Sequence, residues 1–136
     1  MKHPLDGVKV VDLASYISGA YCSSLLADMG AMVTKVESPS GDGFRAMGGG
    51  FQGWNRGKRG MVLNLMSDEG RDILYRMVSD SDVVVENYRK GVSEKLGVDY
   101  ESLKRVNSRI IYCTVTGYGT TGPYSEKPAF DPMIQA

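Results

Sequence analysis

The sequence predicts an α/β fold: a Rossmann-like, doubly wound, mainly parallel sheet. Three observations carry that expectation. Short runs rich in β-branched residues recur along the chain: VKVVDL, AMVTKVE, GMVLNL, DVVVEN and RIIYCTV. Segments with helical apolar spacing stand between most of them. The unbroken run in DVVVEN has the pattern of an interior parallel strand, apolar on both faces.

Taken in order, Val8 to Leu13 follows an Asp-Gly turn signal and reads as a buried strand. In AYCSSLLADMG, Ala20, Ser24 and Ala27 with Leu25 and Leu26 form a small, apolar helix face, and Gly30 stands where a left-handed helix end is wanted. Ala31 to Glu37 is then a second strand, completing a βαβ unit whose parallel strands require a crossover. SPSGDGFRAMGGGFQGWNRGKRG is Gly-rich and aperiodic and reads as one long loop, a length that in compact domains goes with function or with disorder. Gly60 to Leu65 returns to strand. Ser67 is placed as an N-cap, Asp68 and Glu69 favour the first helical turn, and Ile73, Leu74 and Met77 supply the apolar stripe. Asp82 to Asn87 is a strand, short helices follow around VSEKLG and YESLKRVN, and RIIYCTV is the last strand. The tail, TGYGTTGPYSEKPAFDPMIQA, is turn-rich and ends in the opening of a helix.

The chain's 136 residues suit one domain, and 42% hydrophobic with 24% charged residues suits a globular one. Sixteen basic residues balance sixteen acidic ones, so no global field draws the chain to nucleic acid or to a membrane. Acidic residues interspersed at Glu86, Glu94 and Asp99 also break any basic stripe of the kind nucleic acid needs. Cys22 and Cys113 lie far apart in sequence; a disulfide, a metal ligand or a nucleophile are the functional options, and a pair of buried small hydrophobes the expected one. His3 is the only histidine and lies near the terminus, so no metal is expected. No window holds the ~20 apolar residues of a membrane span, MKHPLDG lacks a signal-peptide core, and the cytoplasm is the expected compartment.

Ligands of open α/β sheets sit at the carboxyl ends of the strands. Those ends are the loops after Leu13, Glu37, Leu65, Asn87 and Val115. The first loop, ASYISGAY, is not G-x-G-x-x-G, and GKRG is not a P-loop, so the usual dinucleotide and nucleotide fingerprints are absent. An anion could still rest on the free N–H groups opening the following helix. Arg45, Arg56, Lys58 and Arg59 in the long loop, with Arg89, Lys90 and Lys95 after DVVVEN, are expected to collect at the strand ends, either as a pocket for a polyanionic small molecule or as scattered charges on a solvated loop. Phe51, Trp54 and Tyr88 among these charges are candidates either to stack on a base or to cover the underside of the loop.

Five ordered stretches go further: PLDGVKVVDLASYISGAYCSSLLADMGAMVTKVESPSGDGFR, NRGKRGMVLNLMSDEGRDIL, DVVVENYRKGVSEKLGVDYESLKRVN, RIIYCTVTGYGTTGPYSEKPAFD and PMIQA. Together they resemble the N-terminal portion of family III CoA-transferases, a superfamily that also contains α-methylacyl-CoA racemase. The resemblance implies that residues 1–136 form the coenzyme A-binding, Rossmann-like part of a large domain, the small domain and the C-terminal part lying outside it. It also implies an interlocked homodimer, acyl-CoA and a free carboxylic acid as substrates, and no metal. Tyr16, Ile17 and Ser18 match positions lining the thioester end of the CoA site. Ser38 stands where several members place an arginine against the adenine, which removes one stacking and charge contact. Leu63 and Met66 match positions beside the nucleotide, Met66 replacing a frequent lysine. Asn87 matches a polar contact to the pantetheine, and Arg89 and Lys95 match phosphate-binding positions. Lys58 and Arg59 fall in a Lys-Arg pair that would act as electrostatic supports.

In the transferases an aspartate attacks the acyl-CoA, giving a mixed anhydride and then an aspartyl-CoA thioester. The resemblance puts that aspartate in a Gly-Asp segment beyond Ala136, so these residues alone are expected to bind without turnover; Asp131 reads as a structural carboxylate. Racemases carry a histidine just before the aspartate of this turn, and here that place is Phe130. The resemblance therefore implies a transferase over a racemase or isomerase, or over a domain that only binds CoA or a nucleotide.

Overall fold

The computed structural model describes residues 2–47 and 49–135. Five strands, β1 (Lys9–Asp12), β2 (Met32–Glu37), β3 (Arg59–Val62), β4 (Val83–Glu86) and β5 (Ile111–Thr114), form one sheet in the order β3-β2-β1-β4-β5. Every neighbouring pair is parallel. The chain therefore starts in the middle, winds outward to β3, crosses back, and winds outward again to β5. The reversal lies between β1 and β4, and the loops after those two strands part from each other there.

Alternation along the strands sorts the core into two layers. Val10, Val33 and Val85 point to one face and pack with Ala31, Leu26 and Ala27, placing helix α1 (Ser18–Asp28) on that side. Val11, Val36 and Val84 point to the other, against Leu74 and Val78 of α3 (Asp68–Ser79) and Leu103 of α5 (Tyr100–Val106). Leu74, Val78, Val84 and Leu103 are wholly excluded from solvent, so truncating Leu74 to alanine costs about 2–5 kcal/mol.

The helix ends follow local chemistry. Ser67 Oγ accepts from the Gly70 N–H at 3.1 Å, and Asp99 Oδ1 accepts from Ser102 N–H at 3.1 Å to open α5. Gly70 cannot be larger, because a Cβ there would overlap the Asn64 carbonyl. Gly91 and Gly97 flank the short α4 (Val92–Leu96) with φ of 83° and 68°.

Two expectations are corrected here. The Gly-rich segment is not one long loop: it holds a 3-10 turn, Gly43–Met47, and a helix, α2 (Gly50–Asn55). Glycines at 50 and 53 hide that helix from propensity. It forms because it docks on α1, with Trp54 edge-on to Tyr21 at 5.5 Å between ring centroids and the Ser24 hydroxyl donating to the Trp54 carbonyl. The cysteines, expected to be buried, are half-buried, and both pack against the Val10/Val33/Val85 layer. The tail does end in a helical turn, α6 (Asp131–Gln135).

Candidate functional site

At the point where the strand order reverses, the loop after β1 is fixed from both sides. Asn87, directly after β4, reaches across: its Oδ1 accepts from Ser15 N–H at 2.9 Å, and its Nδ2 donates to the Ser15 carbonyl at 2.8 Å and to Ser18 Oγ at 3.2 Å. From the β2 side, Asp42 Oδ1 accepts from Tyr16 N–H at 3.2 Å and from Phe44 N–H at 2.9 Å. Between these clamps Tyr16 has a φ of 58°, a left-handed conformation that costs a side-chain-bearing residue energy and persists only where the surroundings impose it. Its ring lies on Gly43, where a Cβ would come within 2.7 Å of the phenol oxygen. Tyr16 and Ile17 are exposed, and Ser18 begins α1 without any side chain capping its first N–H groups. The loop thus presents side chains and free helix N–H groups to one concave edge of the sheet.

Beneath the loop runs a network of buried ions. Lys58 and Asp12 are almost wholly buried, with Nζ 2.8 Å from Asp12 Oδ2. The ammonium has three N–H donors, and the other two reach the Ala20 carbonyl at 2.7 Å and Asn55 Oδ1 at 2.9 Å. Asp12 in turn accepts from Ser23 Oγ at 2.7 Å and Ala14 N–H at 2.9 Å. Burial pushes the Lys58 ammonium below the ordinary lysine range, against the pull of Asp12. A second pair lies alongside. Lys35 Nζ is 3.1 Å from Asp42 Oδ2 and donates to the Ala14 carbonyl at 2.5 Å. The approach to Asp42 suits charge attraction but not a hydrogen bond, and among the described residues Oδ2 has no hydrogen-bond partner.

Glu37 closes the network. Its carboxylate takes two hydrogen bonds of 2.6 Å from the Arg45 guanidinium, which holds it below the usual carboxylate range. Arg45 also lies 3.8 Å over the Phe51 ring.

The basic residues of the Gly-rich segment therefore do not gather at a pocket as expected. Arg45 is engaged by Glu37, Arg56 by Asp28 at 2.5 Å, and Lys58 by Asp12. Arg59 opens β3 opposite Thr34, toward the amino half of the sheet, with its guanidinium against Met32 Sδ. The aromatics resolve the same way: Phe51 lies under Arg45, Trp54 against Tyr21, and Tyr88 on the α3/α5 layer of the core. Sequence alone could not reveal these pairings: Arg56 with Asp28, Lys58 with Asp12 and Trp54 with Tyr21 join residues distant in the chain, and Arg45 meets Glu37 and Phe51 only because the 3-10 turn folds it back.

What parallel topology does bring to one edge is Leu63 and Met66 after β3, Ser38 after β2, Tyr16, Ile17 and Ser18 after β1, and Asn87 and Arg89 after β4, with Lys95 on α4. Ser38, Met66, Arg89 and Lys95 are exposed, and Leu63 is buried. Arg89 and Lys95 make no salt bridge with a described residue, whereas Lys90 pairs with Glu126 at 2.6 Å. One strand further on, a cleft of about 230 Å³ is lined by Glu86, Tyr88, Arg89, Tyr112 and Thr114. Glu86, missed as a site candidate, is 2% exposed there. Burial raises its carboxyl, although it accepts from Tyr88 N–H at 2.6 Å, and burial beside Glu86 pushes the Tyr88 phenol up to about 12.

A parallel α/β domain whose strained, doubly clamped loop lies at its switch point is of the doubly wound class, in which ligands bind outside the carboxyl ends of the strands. The chain belongs to CoA-transferase family III, whose model matches residues 5–136. It is 41% identical to the succinate–glutarate CoA-transferase of Agrobacterium fabrum over 98% of this chain and 37% of that protein. It is likewise 41% identical to the acetyl-CoA:oxalate CoA-transferase of Acetobacter aceti, over 99% of this chain and 37% of that one. Among solved structures, a CAIB/BAIF family protein from Brucella suis superposes with a TM-score of 0.95 at 44% identity, covering 99% of this chain and 39% of the other. The chain thus spans little more than a third of the length of these relatives.

Proposed function

We propose that this chain provides the coenzyme A-binding share of an enzyme that moves CoA between an acyl-CoA thioester and a free carboxylic acid. The observation that carries the reading is the clamped loop at the switch point, Ser15 to Ser18, in a chain of this family. Tyr16, Ile17 and Ser18 then face the thioester end, Asn87 the pantetheine, and Leu63, Met66 and Ser38 the nucleotide. Arg89 and Lys95 take the phosphates, since they are the exposed cations of that edge without an acidic partner among the described residues. Lys58 supports the site from within, as a buried counter-ion beneath the loop. In the complete enzyme an aspartate supplies the covalent step by attacking the acyl-CoA carbonyl, which divides one hard acyl transfer into easier ones. Phe130 offers no proton at the turn where racemisation would need an imidazole, so transfer is preferred over α-proton exchange.

The test is a calorimetric titration of CoA and, separately, of NADH into the chain at low and moderate salt. CoA binding that weakens with salt, and weakens roughly tenfold or more in Arg89→Ala and in Lys95→Ala, supports the assignment. NADH binding without CoA binding overturns it.

A further inference from the structure

Two cysteines separated by 91 positions meet on one face of the sheet. Cys113 lies on the edge strand β5, in register with Val85 of β4. Val85 belongs to the apolar layer under α1, and Cys22, midway along α1, packs against that same layer. Both side chains thus flank one four-residue layer, Val10, Ala31, Val33 and Val85. Both are free and only half-buried. Neither serves the loop at the switch point.

We propose that Cys22 and Cys113 form a dithiol that a low-molecular-weight disulfide oxidises to an intramolecular disulfide, stapling α1 to the edge of the sheet. One cysteine thiolate attacks a sulfur of the small disulfide; a protein mixed disulfide forms and one small thiol leaves. The second cysteine thiolate then attacks the protein sulfur of that mixed disulfide. The Sγ–Sγ bond forms and the second small thiol leaves. The two protein thiols give up two electrons and two protons, and both end on the two small thiols. Burial first, and Cys113 after it, raise the Cys22 thiol, which therefore rests protonated until an oxidising partner arrives. The staple would join the helix whose first turn carries Ser18 to the strand farthest from β3.

The experiment equilibrates the 136-residue chain with glutathione buffers from fully reduced to fully oxidised, quenches with acid, and reads intact mass and non-reduced peptides. The expected result is joint loss of both free thiols, a mass lower by two hydrogens, and one peptide linking Cys22 to Cys113 that dithiothreitol releases. Cys22→Ser and Cys113→Ser should each stop at a single glutathione adduct on the remaining cysteine. Because the wild-type chain alone gives the decisive mass, a variant that folds poorly does not blur the answer. Glutathione adducts on the wild type without an internal link, disulfide-linked dimers, or thiols that persist in the fully oxidised buffer would each overturn the proposal.

Discussion

Replacing Lys58 with methionine tests whether the ion pair under the switch point is a structural pillar. The methionine chain roughly fills the space of the lysine stem but leaves the Asp12 carboxylate, itself fully buried, without its counter-ion. It also strips the Ala20 carbonyl and Asn55 Oδ1 of their ammonium donor. Removing one partner of a buried pair costs about 3–5 kcal/mol, because the remaining charge is desolvated and uncompensated. A chain of this size has roughly 5–15 kcal/mol in hand, so Lys58→Met should lose a large fraction of it. With a urea slope of about 2 kcal/mol per molar, the unfolding midpoint falls by about 2 M. Asp12→Asn in the same background should restore about 1.5 kcal/mol or more, since the stranded charge disappears; the coupling is read from a double-mutant cycle by circular dichroism. A single-mutant loss below about 1 kcal/mol, with no recovery in the double mutant, would refute the argument.

Three further outcomes follow from the same geometry. Asn87→Ala removes the hydrogen bonds that tie the loop after β1 to β4, and CoA affinity should fall by roughly 10- to 100-fold in the calorimetric titration. Gly19→Ala places a Cβ that overlaps Ala14 and lies 3.3 Å from Asn87 Cβ, so the thermal midpoint should drop and the loop should shift; an unchanged midpoint would contradict the tight approach. Glu37 and Glu86 should show opposite pH profiles when each is changed to glutamine. The Arg45 hydrogen bonds depress Glu37 in the fold, so its contribution is present above pH 4.5 and is lost as pH falls through the lowered value; the deficit of Glu37→Gln closes in acid. Burial raises Glu86, so its stability is fully present below pH 4.5 and is lost as pH rises through the raised value. Glu86→Gln should accordingly be the more stable protein at neutral pH and converge with wild type in acid. Urea unfolding at a series of pH values checks both.

The βαβ rhythm was legible because strand and helix periodicities are local, and the Ser67 cap could be read directly from its side-chain chemistry. The strand ends differ from their expected bounds by at most three residues, for instance Arg59–Val62 against Gly60–Leu65, and β2 ends at Glu37 as expected. The register with β2 stops where Val62 stands opposite Glu37, with one last bond from the Leu63 N–H to the Glu37 carbonyl, although Leu63 and Leu65 prolong the hydrophobic pattern. What could not be read was long-range: Lys58 finds Asp12 across 46 positions, and Cys22 and Cys113, far apart in sequence, reach one apolar layer. A cation in a Gly-rich stretch looks the same in sequence whether it awaits a ligand or neutralises a buried carboxylate. The left-handed Tyr16 had no sequence signal at all, because glycine is the residue that ordinarily announces such a conformation.

The division of charge decides how this edge can meet an anion. Every buried cation beneath the switch point lies beside a buried carboxylate, Lys58 with Asp12 and Lys35 with Asp42, so the floor of the site adds little net positive field. On the proposed reading, attraction would come from the exposed Arg89 and Lys95 and from the N–H groups that open α1. Exposed charges act through water and weaken with salt, whereas helix N–H groups act by contact and are screened less. The floor has a different task. By holding Asp42, and through it Tyr16, it keeps the loop in a conformation the chain would not adopt alone. Energy spent on that strain in folding is not spent again when a ligand arrives, and this is the physical content of a preformed site.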